Sequence, residues 1–292
     1  MRFGVYDSGV GGITVLTELR RRLKGATFVY LGDTANVPYG TKSAAQVVRL
    51  SEACAARFKD WKVDALIVAC NTASSLALPQ IRAAMGNTPV MGVVESGVEA
   101  VLEGLFSLRN GKPIQGQPRS RSELAPVLVL ATTATVRAGI YGKLLREILE
   151  SSISLAERPY PIMEQACPLL VPMIEEGWVD HPVLHATLKE YVDGYARARM
   201  PGVCLLGCTH YPWIHSAVES ALPGWRVINS AQAVASSIAR GSLWQNFQKL
   251  VGPRSHDSGG GLVEWHFTDS DAVPEFAQRT IQGVERQAGQ NI

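Results

Sequence analysis

The chain is expected to be α/β, with parallel, doubly wound sheets in two similar lobes. Three observations carry that expectation. Short apolar runs alternate with helix-forming segments from Arg2 onward, the pattern of βαβ units and a parallel sheet. Two of those runs end alike: Val63 to Ala69 leads into Cys70-Asn71-Thr72, and Gly202 to Gly207 leads into Cys208-Thr209-His210. Between them, residues 107–122 break the alternation, which then restarts.

In chain order, Arg2 to Tyr6 reads as a strand, Asp7 to Gly12 as its glycine-rich turn and Ile13 to Leu23 as a helix. Phe28 to Leu31 is a second strand, and Gly32 to Thr41 a loop. Ser43 and Gln46 have capping-box spacing for a helix running towards Trp61. The run before Cys70 reads as a strand buried on both faces, because such strands are continuously apolar. A helix through Met85 follows, then a short strand from Val90 to Val94. Residues 107–122 hold Gly111, Pro113, Gly116 and Pro118 among Arg109, Lys112, Arg119 and Arg121, so a mobile surface insertion is expected there. After it come a strand (Val127 to Ala131), a polar turn (Thr132 to Thr135) and a helix (Val136 to Leu149). Helices are also expected over Leu169 to Glu176 and Pro182 to Ala198, and from near Pro212, a residue suited to a first helical position. Arg226 to Ile228 (strand), Ala231 to Trp244 (helix), a flexible Gly259 to Gly261, Val263 to Phe267 (strand) and Val273 to Gln282 (helix) complete the chain. The lobes are expected to comprise residues 1–97 plus 229–292, carrying Cys70, and residues 98–228, carrying Cys208 and the insertion.

Composition narrows the function. With 292 residues, 46% of them hydrophobic, the chain can bury substantial cores. A net charge of +2 gives no reason to expect a nucleic-acid partner. No apolar run is long enough to span a membrane. The strand at Arg2 leaves no room for a signal peptide, and five cysteines without framework spacing suit free thiols, so a cytoplasmic location is expected.

Cys70 and Cys208 stand out because each falls where a strand gives way to a helix, the ligand-binding edge of an open α/β sheet. A thiol at a helix N-terminus is expected to ionise more readily than a free one. Two such thiols facing one substrate could remove a proton from one side and add one on the other. Cys54 and Cys204 lie mid-helix and mid-strand and read as packing residues, and Cys167, before Pro168, is a candidate core residue. Asp7-Ser8 ends the first strand beside a turn whose N–H groups could cradle an anion; Asp7 could equally cap the following helix. The turn lacks both the third glycine of a dinucleotide fingerprint and the lysine of a P-loop. His210 is placed to adjust the protonation of Cys208 or to bind a carboxylate. His181 and His185 lack the glutamate of a zinc-binding helix and have Pro182 between them, so no metal site is expected.

The segments Gly4 to Gly12, Gly32 to Gly40, Cys70 to Ala73 and Gly207 to Pro212 together resemble glutamate racemase, and the resemblance runs nearly end to end, outside 107–122 and the stretch near Gly259. It implies two pseudo-symmetric α/β lobes with the site between them, and racemisation without pyridoxal phosphate or metal. On the matching positions, Cys70 and Cys208 are the acid/base thiols, with Asp7 and His210 assisting. Ser8, Pro38, Tyr39, Gly40, Asn71, Thr72, Thr135 and Thr209 are substrate contacts, and Glu175 is a further acidic site residue. The family commonly forms homodimers and supplies D-glutamate to peptidoglycan. Ser96 stands where the family usually has Pro, and Asn229-Ser230-Ala231 replaces a usual Asp-Ser-Gly. The extension found in members activated by a cell-wall precursor has no counterpart before Arg2, so that activation is not expected. The alternatives are an aspartate racemase, against which His210 argues, and a binding protein with an interaction role, against which the intact cysteine pair argues.

Overall fold

The computed structural model describes residues 1–110, 125–152, 161–196, 201–251 and 261–287. Within them the apolar runs form two sheets whose strands all pair in parallel. The first contains β1 (Arg2–Asp7), β2 (Thr27–Gly32), β3 (Ala65–Val68), β4 (Val90–Gly92) and β9 (Val263–Phe267), in the order β4-β3-β1-β2-β9. The second contains β5 (Val127–Ala131), β6 (Ile162–Ala166), β7 (Val203–Gly207) and β8 (Arg226–Asn229), in the order β6-β5-β7-β8.

Because successive strand residues face opposite ways, each sheet feeds two cores. On β7, Val203 and Leu205 enter one core and Cys204 and Leu206 the other. On β1, Phe3 and Val5 face one core and Tyr6 the opposite one. Helices cover all four faces. In the first sheet, α1 (Ile13–Arg22), α11 (Ser230–Arg240), α12 (Ser242–Val251) and α13 (Glu275–Gln287) pack on the Phe3 side, and α2 (Ala44–Asp60) and α4 (Leu78–Met85) on the Tyr6 side. In the second, α5 (Val94–Asn110) and α7 (Ile140–Ser152) cover the Val203 face. The Cys204 face lies under α8 (Leu170–Glu175), α9 (Pro182–Ala196) and α10 (His215–Ala221). Cys54 and Cys204 are buried packing residues, as expected. Ser43 and Gln46 form the expected capping box of α2, each side chain accepting the other residue's backbone N–H.

Several boundaries differ from expectation. The helix after Cys70 breaks at Ala77, leaving α3 (Asn71–Leu76) and α4, whose start carries Pro79. The helix expected from Val136 instead begins at Thr133, as α6 (Thr133–Ala138), and stops at Gly139, which takes the left-handed conformation that closes a helix with little strain. Gly241 likewise divides α11 from α12. Residues 107–110 are not the start of a loop but the end of α5, a helix absent from the sequence reading; the rest of the expected insertion lies outside the described residues, as do Gly259 and Gly260. The edge strand β6 was also missed, because Glu164 and Gln165 break up its apolar pattern. Asn229, where β8 leaves the second sheet, accepts the N–H groups of Ala231 and Gln232 and so caps α11. α11 then packs against both α1 and α5, tying the two halves together.

Candidate active site

β3 and β7 are internal strands of different sheets, and the loops at their carboxyl ends face a common cleft with about 670 Å3 of empty space. Both Cys70 and Cys208 line it.

On one wall, Cys70 is the N-cap of α3, and its Sγ accepts the Ala73 N–H at 3.4 Å. The thiol also contacts Ser8 Oγ at 3.4 Å. The expected lowering of its pKa is not what results. Burial, then the negative charge of Asp7, outweigh the hydrogen bonds made with Ser8 and Ala73 and push the Cys70 thiol up to about 12. Asp7 itself does not cap α1, whose N-cap is Gly12 and has no side-chain hydrogen bond. Its Oδ2 accepts the Gly9 N–H at 3.0 Å, and Thr209 Oγ1 donates to Oδ1 across the cleft at 3.2 Å. The anion held by the glycine turn is therefore this carboxylate. Burial raises the Asp7 pKa, opposed by His210, by the Gly12 and Gly9 amides and by Thr209.

The opposite wall uses a side chain where the first uses backbone. No α-helix starts directly after Cys208: a 3-10 turn spans Tyr211–Ile214 and α10 begins only at His215. The thiol's partner is His210, with Sγ to Nδ1 at 3.9 Å, and His210 Nε2 meets Glu175 Oε1 at 2.9 Å. Burial lowers the His210 pKa, but the Cys208 sulfur and the Glu175 carboxylate more than reverse this and bring it to about 10. Glu175, on α8, thus completes a Cys208–His210–Glu175 relay.

Contacts between the walls are close. Thr14 Oγ1 donates to the Thr209 carbonyl at 2.9 Å. A Cβ on Gly11 would come within 2.3 Å of Thr209 Oγ1 and 2.5 Å of His210 Nδ1, so only glycine fits there. Thr72 Oγ1 lies 3.0 Å from Thr132 Oγ1 and 3.1 Å from Thr135 Oγ1, and the last two are 3.0 Å apart. Asn71 is buried beside them.

Ser8, Pro38, Tyr39, Gly40, Cys70, Asn71, Thr72, Glu175, Cys208, Thr209 and His210 all border the cleft. Asp7 and Thr135 do not, and reach it through Thr209 and Thr72. The Tyr39 hydroxyl is turned away from the opening: it donates to Asp33 Oδ2 at 2.6 Å and accepts from Tyr6 at 3.0 Å. Cys167, expected in the core, is buried there and borders the cleft as well, with Pro168, Val171 and Pro172. This apolar wall was not singled out, since nothing in its composition separates it from core. His181 and His185 stand apart: His185 Nε2 meets Asp180 at 2.9 Å, and His181 Nδ1 accepts the Val183 N–H.

Comparison with known proteins places the chain in a family. Residues 13–238 match the family model described as Asp/Glu/hydantoin racemase. The glutamate racemase of Aquifex pyrophilus is 35% identical over 283 residues, covering 97% of this chain and 94% of the relative. That of Persephonella marina is 36% identical over 243 residues, covering 83% of each. The crystal structure of the Francisella tularensis glutamate racemase in complex with D-glutamate superposes with a TM-score of 0.75 at 25% identity, over 96% of this chain and 93% of that one. The chain belongs to the Asp/Glu/hydantoin racemase family.

Proposed function

We propose that this protein interconverts L- and D-glutamate by proton transfer between Cα and two thiols, without a cofactor, and that its D-glutamate serves peptidoglycan synthesis. The single observation that supports it most is that Cys70 and Cys208, from different sheets, border the same cleft. The glutamate racemases similar to nearly the whole chain support the substrate. The lobes would be residues 1–97 plus 229–292 and 98–228, acting as a cytoplasmic homodimer.

The two walls suggest complementary roles. His210 can hold a proton beside Cys208 well above neutral pH, so a positive charge is available there to offset negative charge on the sulfur. Cys70, pushed up to about 12, keeps its proton near neutral pH. In the L-to-D direction the Cys208 thiolate takes the Cα proton. The Cys70 thiol gives its proton to the opposite face and is left as thiolate, close to Asp7. The reverse reaction uses the same atoms in the opposite order. The substrate ammonium would offset the negative charge gathered around Asp7 and Cys70, and Asn71, Thr72, Ser8 and Thr209 offer hydrogen bonds to its carboxylates.

The test is racemisation of L-glutamate by purified protein with no added cofactor, run in heavy water. Early D-glutamate should carry deuterium at Cα, and the remaining L-glutamate should not. Cys70→Ser and Cys208→Ser should each stop racemisation while leaving the protein folded, since a hydroxyl ionises too weakly to replace a thiol. Near-normal racemisation by either folded variant, or early product with its original proton, would overturn the mechanism. A kcat/KM for aspartate equal to or above that for glutamate would overturn the substrate assignment.

A further inference from the structure

The reading above leaves unexplained a tyrosine that stands behind a residue of the cleft. Tyr141, on α7 of the Cys208 half, is fully buried, and its hydroxyl donates to Asn71 Oδ1 at 2.6 Å. Asn71 is the first residue of α3, next to Cys70. The bond therefore joins the two halves at the residue following a proposed catalytic thiol. The other end of the same amide is unpaired: Asn71 Nδ2 is buried and has no hydrogen-bond partner among the described residues. Buried donors are normally satisfied, and an orphan one costs free energy unless something completes it.

We infer that Tyr141 is a positioning residue: it fixes the Asn71 amide so that its NH2 group is kept for an oxygen of the bound amino acid's carboxylate. The chemistry of the two groups sets the direction. An amide presents an acceptor at Oδ1 and only donors at Nδ2. Burial holds the Tyr141 phenol protonated, and its O–H finds its acceptor in Asn71 Oδ1. With the amide turned over, the buried phenol proton would lose this acceptor and an acceptor would take the place of the NH2 group, which repels a carboxylate. Tyr141 thus selects which end of Asn71 the substrate meets, and does so without touching the substrate: Asn71 borders the cleft and Tyr141 does not.

This rests on the proposed glutamate chemistry, so binding and turnover are measured separately. D-Glutamate binding is read by calorimetry on the wild type, Tyr141→Phe, Asn71→Ala and the double variant, and racemisation is read from both enantiomers. Removing only the phenol oxygen should weaken D-glutamate binding and raise KM by between about threefold and tenfold, the weight of one hydrogen bond, with kcat changing much less. In Asn71→Ala the further Tyr141→Phe change should add nothing, because Tyr141 acts only through Asn71. Unchanged binding and KM in folded Tyr141→Phe would overturn the inference, as would losses that multiply in the double variant. A fall in kcat at constant KM would overturn it too. Should Tyr141→Phe fail to fold, Asn71→Ala and Asn71→Asp carry the test: D-glutamate binding undiminished in both overturns it. Wild-type protein that binds D-glutamate without racemising it overturns the proposed reaction but leaves the binding comparison decisive. Wild-type protein that neither binds nor racemises it overturns both.

Discussion

Glu175→Gln isolates the relay behind Cys208. The replacement keeps an oxygen for His210 Nε2 but removes the charge 2.9 Å away. In the wild type, burial lowers the His210 pKa and the Cys208 and Glu175 partners overcome it, lifting it from 6.5 to about 10. An adjacent opposite charge typically moves a pKa by about one to three pH units, so losing Glu175 should bring His210 down by roughly two. The stability consequence has a definite sign. His210 binds its proton more tightly folded than unfolded, so its contribution is complete below about 6.5 and is lost as pH rises through about 10. Across that window the group is worth roughly 5 kcal/mol in the wild type, at about 1.4 kcal/mol per pH unit. Glu175→Gln should shrink it by about 3 kcal/mol, and denaturant unfolding at intervals from about pH 7 to 10 should show the wild type losing stability over a wider range than the variant. The assay that reads the group directly is an NMR titration of the His210 ring, assigned by loss of its signal in His210→Asn. A His210 midpoint in Glu175→Gln within about half a pH unit of the wild type would refute the charge argument.

Three further outcomes follow from the same geometry. With its pKa near 12, Cys70 in the ligand-free protein should react with iodoacetamide near neutral pH at least about tenfold more slowly than a free cysteine, as peptide mapping would show; an equal or faster rate refutes the burial argument. Gly11→Ala places a methyl 2.3 Å from Thr209 Oγ1, so kcat/KM should fall by about a hundredfold, the cost typical of a displaced catalytic group, with little change in circular dichroism. Thr72→Val removes a hydroxyl from the threonine trio, leaves Thr132 and Thr135 to pair with each other and should lower thermal stability by about 1 kcal/mol, measured by calorimetry.

The strands and the two cysteine turns were legible because parallel strands covered on both faces must be apolar along their length. Two elements whose pattern is weaker were missed. β6 is an edge strand with Glu164 and Gln165 only partly buried, and α5 carries Gly97 and Gly104, which weaken its helical signal. The residues that border the cleft were legible as motif positions, but their electrostatics were not. The pKa of Cys70 depends on how deeply α3 is buried and on Asp7, which is distant in sequence. The two cysteine turns also looked equivalent, whereas one stabilises sulfur with a backbone amide and the other with an imidazole. Tyr141 carried no local signal, because its partner lies 70 positions away.

The route of the chain between the sheets has a consequence for biosynthesis. The strands of the second sheet are contiguous in sequence, from Val127 to Asn229, and no later strand among the described residues pairs with them. The first sheet is completed only when Val263–Phe267 pairs with Thr27–Gly32, near the opposite end of the chain. As the protein emerges from the ribosome, the Cys208 half can close while the Cys70 half still exposes an edge of β2. The glycine turn that holds Asp7 belongs to this half, whose sheet is complete only when β9 has been made.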